Sequence, residues 1–180
     1  MKTTSLLAEL LVIGFWSSFW LIALLCNFAD FELIFKIIKT NFLLILVVLA
    51  IVYFLGMLIN LIADASLSFV DKFTANKFGG KLSLVKTRTK IILKSSEAAN
   101  YLFQRRSFVR IYRANCINTL ILFHIAIFDV GNFSNRLGLK VSILSMLLFL
   151  LFILSFLGYY KTLNGYFNYI KLTGEYIDEK

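Results

Sequence analysis

Four apolar runs alternate with polar segments along the chain. Residues 10–29, 42–63 and 141–160 each form a run of about 20 residues, enough for a helix to cross a hydrocarbon core about 30 Å thick. Residues 114–128 form a shorter run, which polar side chains interrupt. Because a hairpin returns the chain to the side from which it started, we interpret this run as the third of four spans. The pattern predicts an all-α membrane protein with four transmembrane helices.

Composition supports the membrane class. The chain has 180 residues, of which 59% are hydrophobic and 16% are charged, and its mean hydropathy is +0.81. A soluble domain usually carries about 25% charged residues. The first apolar run is longer than the core of a typical signal peptide, so we expect it to be retained as the first span.

The cationic residues concentrate between spans two and three, and they decide the predicted orientation. Residues 64–113 hold eleven Lys and Arg against three acidic residues, which is +8 of the net charge of +9. Loops with an excess of Lys and Arg stay on the cytoplasmic side. We therefore predict that this segment and both termini are cytoplasmic. Asp64, at the cytoplasmic end of span two, could pair with an arginine of the segment or could simply be solvated.

These features divide the chain into four predicted parts. They are a transmembrane hairpin (1–70), a basic cytosolic segment with helical structure (71–113), a second transmembrane hairpin (114–160) and a cytosolic tail (161–180). In the tail, Leu163, Tyr166, Phe167 and Ile170 follow one another at helical spacing, which predicts an amphipathic helix. Such a face suits docking on the membrane surface or on a partner.

The basic segment contains a predicted helix over residues 97–113 whose arginines share one face. Arg106, Arg110 and Arg113 follow at spacings i, i+4 and i+7, and Arg105 adds a fourth guanidinium beside them. The planar guanidinium suits bidentate contacts to phosphate or carboxylate. The helix therefore predicts a binding site for an anionic partner. The alternative is a basic face that only sets the topology and contacts lipid headgroups.

A second cationic strip precedes this helix. In KLSLVKTRTK, Lys86, Arg88 and Lys90 alternate with other residues and would share one side of an extended strand. The same residues could continue a helix, and the sequence leaves the two structures open. We add these three residues to the anionic-partner set, with a solvated loop near anionic lipid as the alternative.

Polar side chains inside the spans form a separate candidate site. Asn115, Asn118 and Thr119 lie on one side of the third span, and Ser17 and Ser18 lie in the first. Polar groups at membrane depth face other helices or water. The favoured interpretation is interhelical hydrogen bonding for the third span, and backbone bonds or close helix contact for the serines. A pore in an oligomer is the alternative. Because the polar side of span three needs partners, we expect a homo-oligomer.

The sequence contains no recognisable catalytic motif. A P-loop, a Rossmann glycine pattern, a nucleophile elbow, an HExxH pair and paired cysteine ligands are all absent. His124 is the single histidine, and no second ligand lies at a spacing that would hold a metal ion. We therefore predict no enzymatic activity, no metal and no other cofactor.

Two stretches resemble small four-span bacterial membrane proteins of antiphage defence operons. They are YFLGMLIN, at the end of span two, and QRRSFVRIYRANCIN, which joins the basic segment to span three. In size, span number and basic cytosolic face the chain is similar to the membrane component of the Kiwa system, and more coarsely to the membrane effectors of the Hailong system. The resemblance implies an oligomer, with a tetramer favoured, at the bacterial inner membrane beside a soluble cytosolic partner.

The leading hypothesis is a multi-pass sensor or scaffold subunit of an antiphage system. Its basic face would dock an acidic cytosolic protein or nucleic acid. The alternative is an oligomeric ion-channel effector that depolarises the membrane when an anionic ligand, a nucleic acid or a nucleotide, binds at Arg106, Arg110 and Arg113. A structural protein whose charges contact only membrane lipid is the third interpretation that the sequence leaves open.

Overall fold

In the parts of the chain that the structure describes, there are five helices and no strand. The structure is a computed structural model, and it describes residues 3–25, 42–128 and 140–179. The helices are, in chain order, α1 (Thr3–Leu25), α2 (Phe42–Asn76), α3 (Lys81–Lys94), α4 (Ser96–Ile127) and α5 (Val141–Glu179). The all-α prediction is confirmed for these residues. The predicted connections between spans one and two and between spans three and four lie outside them.

Two of the helices are long and apolar enough to cross a membrane. By length and composition these are Ile45–Asn76 in α2 and Val141–Asp178 in α5, while α1 contributes a shorter apolar stretch, Leu6–Ile22. The predicted third span is the second half of α4, whose first half carries the arginines. Many large apolar side chains of α2 and α5 are exposed in the isolated chain, as expected for surfaces that face lipid.

Contacts between the helices give the relative directions of neighbours in the bundle. Glu9 and Ser17 of α1 contact Arg110 and Asn118 of α4 in the same order along both helices, so α1 and α4 run parallel. Ring contacts pair α4 with α5 in opposite order, which makes these two helices antiparallel. They join Tyr101 to Tyr169 and Phe123 to Phe149, at centroid distances of 4.7 and 5.3 Å.

Helices α1 and α2 touch backbone to backbone at a pair of glycines. A Cβ atom on Gly14 would collide with the carbonyl of Val52, and one on Gly56 would collide with the carbonyl of Leu10. Small residues let two helices approach this closely where lipid offers no hydrophobic driving force between them. The two contacts run in opposite order along the helices, so α1 and α2 are antiparallel.

Glycine and serine residues mark the helix ends within the basic segment. Gly79 and Gly80 adopt φ angles of 92° and 87°, a conformation that glycine permits and other residues rarely adopt, and they end α2. The side chain of Ser95 accepts a hydrogen bond from the backbone N–H of Ala98 at 3.2 Å and caps α4. Of the two structures left open for residues 81–90, the helix is correct and the strand is wrong.

The predicted cytosolic tail is the continuation of α5. Helix α5 passes residues 160 and 161 without a break, and α4 does the same at residues 113 and 114. The apolar face of the tail is buried against α3 and α4, where Leu163 and Ile170 share a core with Leu84 and Leu102. This face is therefore covered by the chain itself and is not free to dock on a membrane surface or a partner.

The glycine contact predicts a sharp sensitivity to one methyl group. We expect Gly56→Ala to lower the free energy of unfolding by about 1–3 kcal/mol, because the new Cβ meets a backbone carbonyl that cannot rotate away. Ala50→Val enlarges an exposed position on the same helix and is the matched control. Unfolding of both variants in detergent micelles, followed by circular dichroism, checks this. Equal stability of the two variants would contradict the close contact.

Candidate functional site

A cavity of about 490 Å³ lies where the basic part of the chain meets the apolar part. Helices α2, α3, α4 and α5 each contribute one wall, and α2 contributes the residues nearest its apolar half, such as Asn60 and Asp64. The volume is within the range of about 300–1,000 Å³ that is usual for small-molecule sites. The cavity is therefore large enough to hold a small-molecule ligand.

Positive charge dominates the lining of the cavity. Six cationic side chains line it against two carboxylates, a net charge of +4. The cations are Lys72, Lys81, Arg88, Arg106, Arg110 and Arg113, and the carboxylates are Asp64 and Asp71. In the described residues no group of His, Cys, Asp and Glu could hold a metal ion. A cavity of this charge attracts an anion.

Arg113 is bound within the chain by two carboxylates of α2. It is only 5% exposed, it forms an ion pair with Asp64, and its Nη1 lies 3.2 Å from Oδ2 of Asp71. The hydroxyl of Tyr159 donates a hydrogen bond of 2.7 Å to the other oxygen of Asp71. The predicted pairing of Asp64 with an arginine is thus confirmed, and the network ties α2, α4 and α5 together.

Arg110 is paired with an acid from a different helix, α1. Its Nε lies 2.9 Å from Oε1 of Glu9, and the side chain of Glu9 is almost completely buried. Glu9 is not itself in the lining of the cavity, whereas Arg110 is. One arginine therefore connects α1 to the cavity.

Arg88 and Arg106 are the two arginines of the cavity without an internal partner. Among the described residues, no carboxylate lies within 4 Å of either guanidinium and neither makes a hydrogen bond. Nε of Arg88 is buried and has no acceptor. Burial lowers the pKa of Arg106, and the neighbouring charge of Arg88 lowers it further. Two half-buried cations next to each other are unfavourable unless an anion joins them.

The predicted anionic-partner set is divided between the cavity and other surfaces. Arg88, Arg106, Arg110 and Arg113 line the cavity. Lys86 and Lys90 lie on the opposite side of α3, because helical geometry turns Arg88 away from both of them. Lys90 forms an ion pair there with Asp178.

Arg105 also lies outside the cavity. Its guanidinium carbon is 4.8 Å from the ring centre of Tyr101 and 5.8 Å from that of Tyr169. It also donates a hydrogen bond to the hydroxyl of Tyr101. Since these contacts occupy its guanidinium, Arg105 stabilises the packing of α4 against α5.

Asn118 forms the interhelical hydrogen bonds that the polar side of the third span predicted. Its Oδ1 accepts from Oγ of Ser17 at 3.1 Å and from Nε1 of Trp20 at 3.0 Å. Both donors belong to α1 of the same chain. The side-chain oxygen of Asn118 therefore no longer requires a partner in an oligomer, and the oligomer itself stays a prediction.

The other polar residues of the predicted pore mostly bond to backbone carbonyls. The hydroxyls of Ser17 and Ser18 bond to carbonyls one turn earlier, as the favoured interpretation of the serines expects. Thr119 does the same, with the carbonyl of Asn115 at 2.8 Å. Oδ1 of Asn115 and Nδ2 of Asn118 are buried and have no partner in the described residues.

Several residues of the site could not be assigned to it from the sequence. Nothing in the sequence pairs Glu9 with Arg110, because this contact follows from the packing of two helices that are distant in the chain. In the sequence, Lys72 and Lys81 are two of the eleven cations of residues 64–113, and no pattern assigns them to a site. For Tyr166 the helical spacing of the tail was a signal, but it did not say that the face turns toward the cavity.

The difference between paired and unpaired arginines predicts opposite effects on stability. Arg113→Met leaves two carboxylates without their cation and should lower the free energy of unfolding by about 2–3 kcal/mol. Arg106→Met removes a half-buried cation that has no partner, so stability should be unchanged or higher. The two variants lose the same charge, and unfolding in micelles compares them. A greater loss for Arg106→Met would refute the assignment.

Comparison with known proteins adds no assigned role to this cavity. No protein-family model, no curated protein and no solved structure matches the chain. The resemblance to antiphage membrane proteins therefore stays an expectation based on layout. What the cavity binds has to be inferred from its charges, its lining and its place in the bundle.

Proposed function

We propose that this protein is a membrane-embedded sensor that binds a phosphate-bearing ligand in the cavity between α2, α3, α4 and α5. The observation that carries the proposal is the pair Arg88 and Arg106, two cations that line the cavity without a partner in the described residues. Partial burial of these two guanidiniums has an unfavourable desolvation free energy. An anion bound between them would offset that free energy.

The geometry favours a small or narrow anion over a broad docked surface. The arginine face of α4 lines a cavity between four helices of the chain. A small anion can enter such a concave site more readily than a folded partner or a nucleic-acid duplex can. Phosphate fits the guanidinium fork in a bidentate manner. A free nucleotide and an anionic lipid headgroup both supply this group, since the cavity lies where apolar helices meet the basic segment.

The proposal includes four spans with cytoplasmic termini. The parallel course of α1 and α4, and the antiparallel course of α1 with α2 and of α4 with α5, is the arrangement that an in–out–in–out–in path requires. The basic helices α3 and the first half of α4 then lie inside, in keeping with the excess of Lys and Arg there.

An ion-conducting effector gated by the same ligand is the weaker candidate. Its candidate pore residues Ser17 and Asn118 bond to each other within one chain. Thr119 bonds back to its own helix. The two unpartnered atoms of Asn115 and Asn118 are the observation that keeps this candidate open.

The proposed setting is the bacterial inner membrane within an antiphage system, as the resemblance in layout implies. There the sensor would act as a homo-oligomer, a tetramer in this proposal, and pass the liganded state to a soluble cytosolic protein. The outer face of α3 offers apolar contact for such a protein, with Leu82 71% exposed and Leu93 80% exposed. Nucleic acid would be bound only as a short single strand or a nucleotide.

Ligand binding tests the role of the unpartnered arginines. We expect pyrophosphate or ATP to bind the purified protein, and Arg88→Gln with Arg106→Gln to weaken binding at least about tenfold, since each lost charged hydrogen bond contributes more than 1 kcal/mol. The matched control is Lys86→Gln with Lys94→Gln, which removes the same charge from α3 outside the cavity. Isothermal titration in nanodiscs of neutral phosphatidylcholine measures both.

A lipid arm of the same experiment separates the two sources of phosphate. If the site holds a headgroup, phosphatidylglycerol in the nanodisc should compete with pyrophosphate and remain bound to the native protein after delipidation. If the site takes a soluble ligand, the lipid has no effect. Equal weakening by the cavity pair and the control pair would show a general charge effect and overturn the proposal.

Reporter fusions test the four-span topology. Alkaline phosphatase, which is active only outside the cytoplasm, should be active when fused after residue 36 or 134 and inactive after residue 94 or 180. The reason is that the basic segment and both termini are predicted to remain inside. Activity after residue 94, or inactivity after residue 36, would contradict the proposed path.

A further inference from the structure

Glu9 forms an ion pair with one of the cations that line the cavity, although Glu9 itself is not part of the lining. The residue is 3% exposed, and its carboxylate meets Nε of Arg110 at 2.9 Å. Arg110 lines the cavity together with Arg88 and Arg106. The carboxylate therefore binds an arginine that also lines the cavity, where an anion would compete for the same guanidinium.

Few polar contacts hold α1 in the bundle. In the described residues, Glu9 interacts with Arg110 and Ser107 of α4, and Ser17 and Trp20 bond to Asn118. Apolar packing and the glycine crossing with α2 supply further contacts of α1. Glu9 is thus the polar residue that holds the cytoplasmic end of α1 against α4.

We infer that Glu9 is a built-in competitor of the ligand, and that an anion which binds Arg110 displaces Glu9 and releases the cytoplasmic end of α1. This inference rests on the proposed anion site and adds its regulation. It explains why an acid on one helix is buried next to a cationic cavity formed by four others.

The electrostatics of the cavity favour such an exchange. A bound phosphate carries up to two negative charges, whereas the carboxylate of Glu9 carries one, so the guanidinium interacts more strongly with the phosphate. A phosphate on Arg110 would also stand close to a buried carboxylate of the same sign. The charge of Arg113 is already compensated by Asp64 and Asp71, so it does little to offset this repulsion. Moving Glu9 toward solvent relieves this repulsion.

Reciprocity makes the inference measurable. If ligand binding weakens the contact between Glu9 and Arg110, then that contact must lower the affinity for the ligand by the same factor. Glu9→Gln should therefore raise the affinity for pyrophosphate about fivefold or more. Because loss of any nearby negative charge also raises affinity, a second readout has to report on α1 itself.

The tryptophans supply that readout. The sequence has two tryptophans, Trp16 and Trp20, and both lie on α1. Trp20 donates its hydrogen bond to Asn118, so its fluorescence responds when α1 moves against α4. Pyrophosphate absorbs no light at these wavelengths, and the titration can follow emission in neutral nanodiscs.

We expect pyrophosphate to change tryptophan emission in the native protein and to leave emission unchanged in Glu9→Gln, where α1 is already released. Glu97→Gln is the matched control, because it makes the same change of carboxylate to amide in the first turn of α4, outside the cavity. It should keep both the native affinity and the emission change. If both variants keep the emission change, Glu9 is not displaced and the inference is wrong.

Two further outcomes separate this inference from the proposed function. Binding of pyrophosphate by calorimetry with no emission change in the native protein overturns the release of α1 and leaves the anion site standing. Absence of binding overturns both. Should Glu9→Gln fail to fold, amide hydrogen exchange of the native protein decides the matter. Exchange in residues 6–12 should be faster with pyrophosphate, and an unchanged rate there would contradict the inference.

Discussion

The buried guanidinium of Arg113 determines how the basic part of the chain meets the apolar part. It lies in α4 immediately before the apolar half of that helix, and it is held by Asp64 and Asp71, which are two turns apart on α2. Tyr159 of α5 completes the network through Asp71. Because a buried charge without a partner is strongly unfavourable, these three helices are fixed in mutual register at this level. The cavity opens directly beside this fixed point.

The four arginines of the cavity differ in how many carboxylates they pair with. Arg113 has two carboxylates, Arg110 has one, and Arg88 and Arg106 have none among the described residues. A chain selected only for stability would pair or replace the last two. Sites where local rules are broken are often sites of function, and this one lies in a cavity of ligand size.

Local periodicity was sufficient to predict the helices and the arginine face of α4, because spacing of 3.6 residues per turn depends on neighbours in sequence. It also placed Asp64 within reach of an arginine, which the structure confirms. It could not separate Arg88 from Lys86 and Lys90, since alternation and helical spacing compete over ten residues and give opposite faces. Nor could it give the pairs Glu9–Arg110 and Ser17–Asn118, which depend on how two distant helices pack.

The parallel course of α1 and α4 has a mechanical consequence. The contacts Glu9–Arg110 and Ser17–Asn118 join residues with the same separation in sequence, eight positions apart on each helix, or about 12 Å along the axis. A piston-like slide of α1 would break both contacts together and drag its glycine crossing with α2 out of place. Because α1 is one continuous helix, a tilt that opens Glu9–Arg110 would also change the geometry of the hydrogen bonds that Ser17 and Trp20 donate to Asn118. The bonds at Asn118 would therefore respond to a movement that begins about 12 Å away, at the level of the cavity.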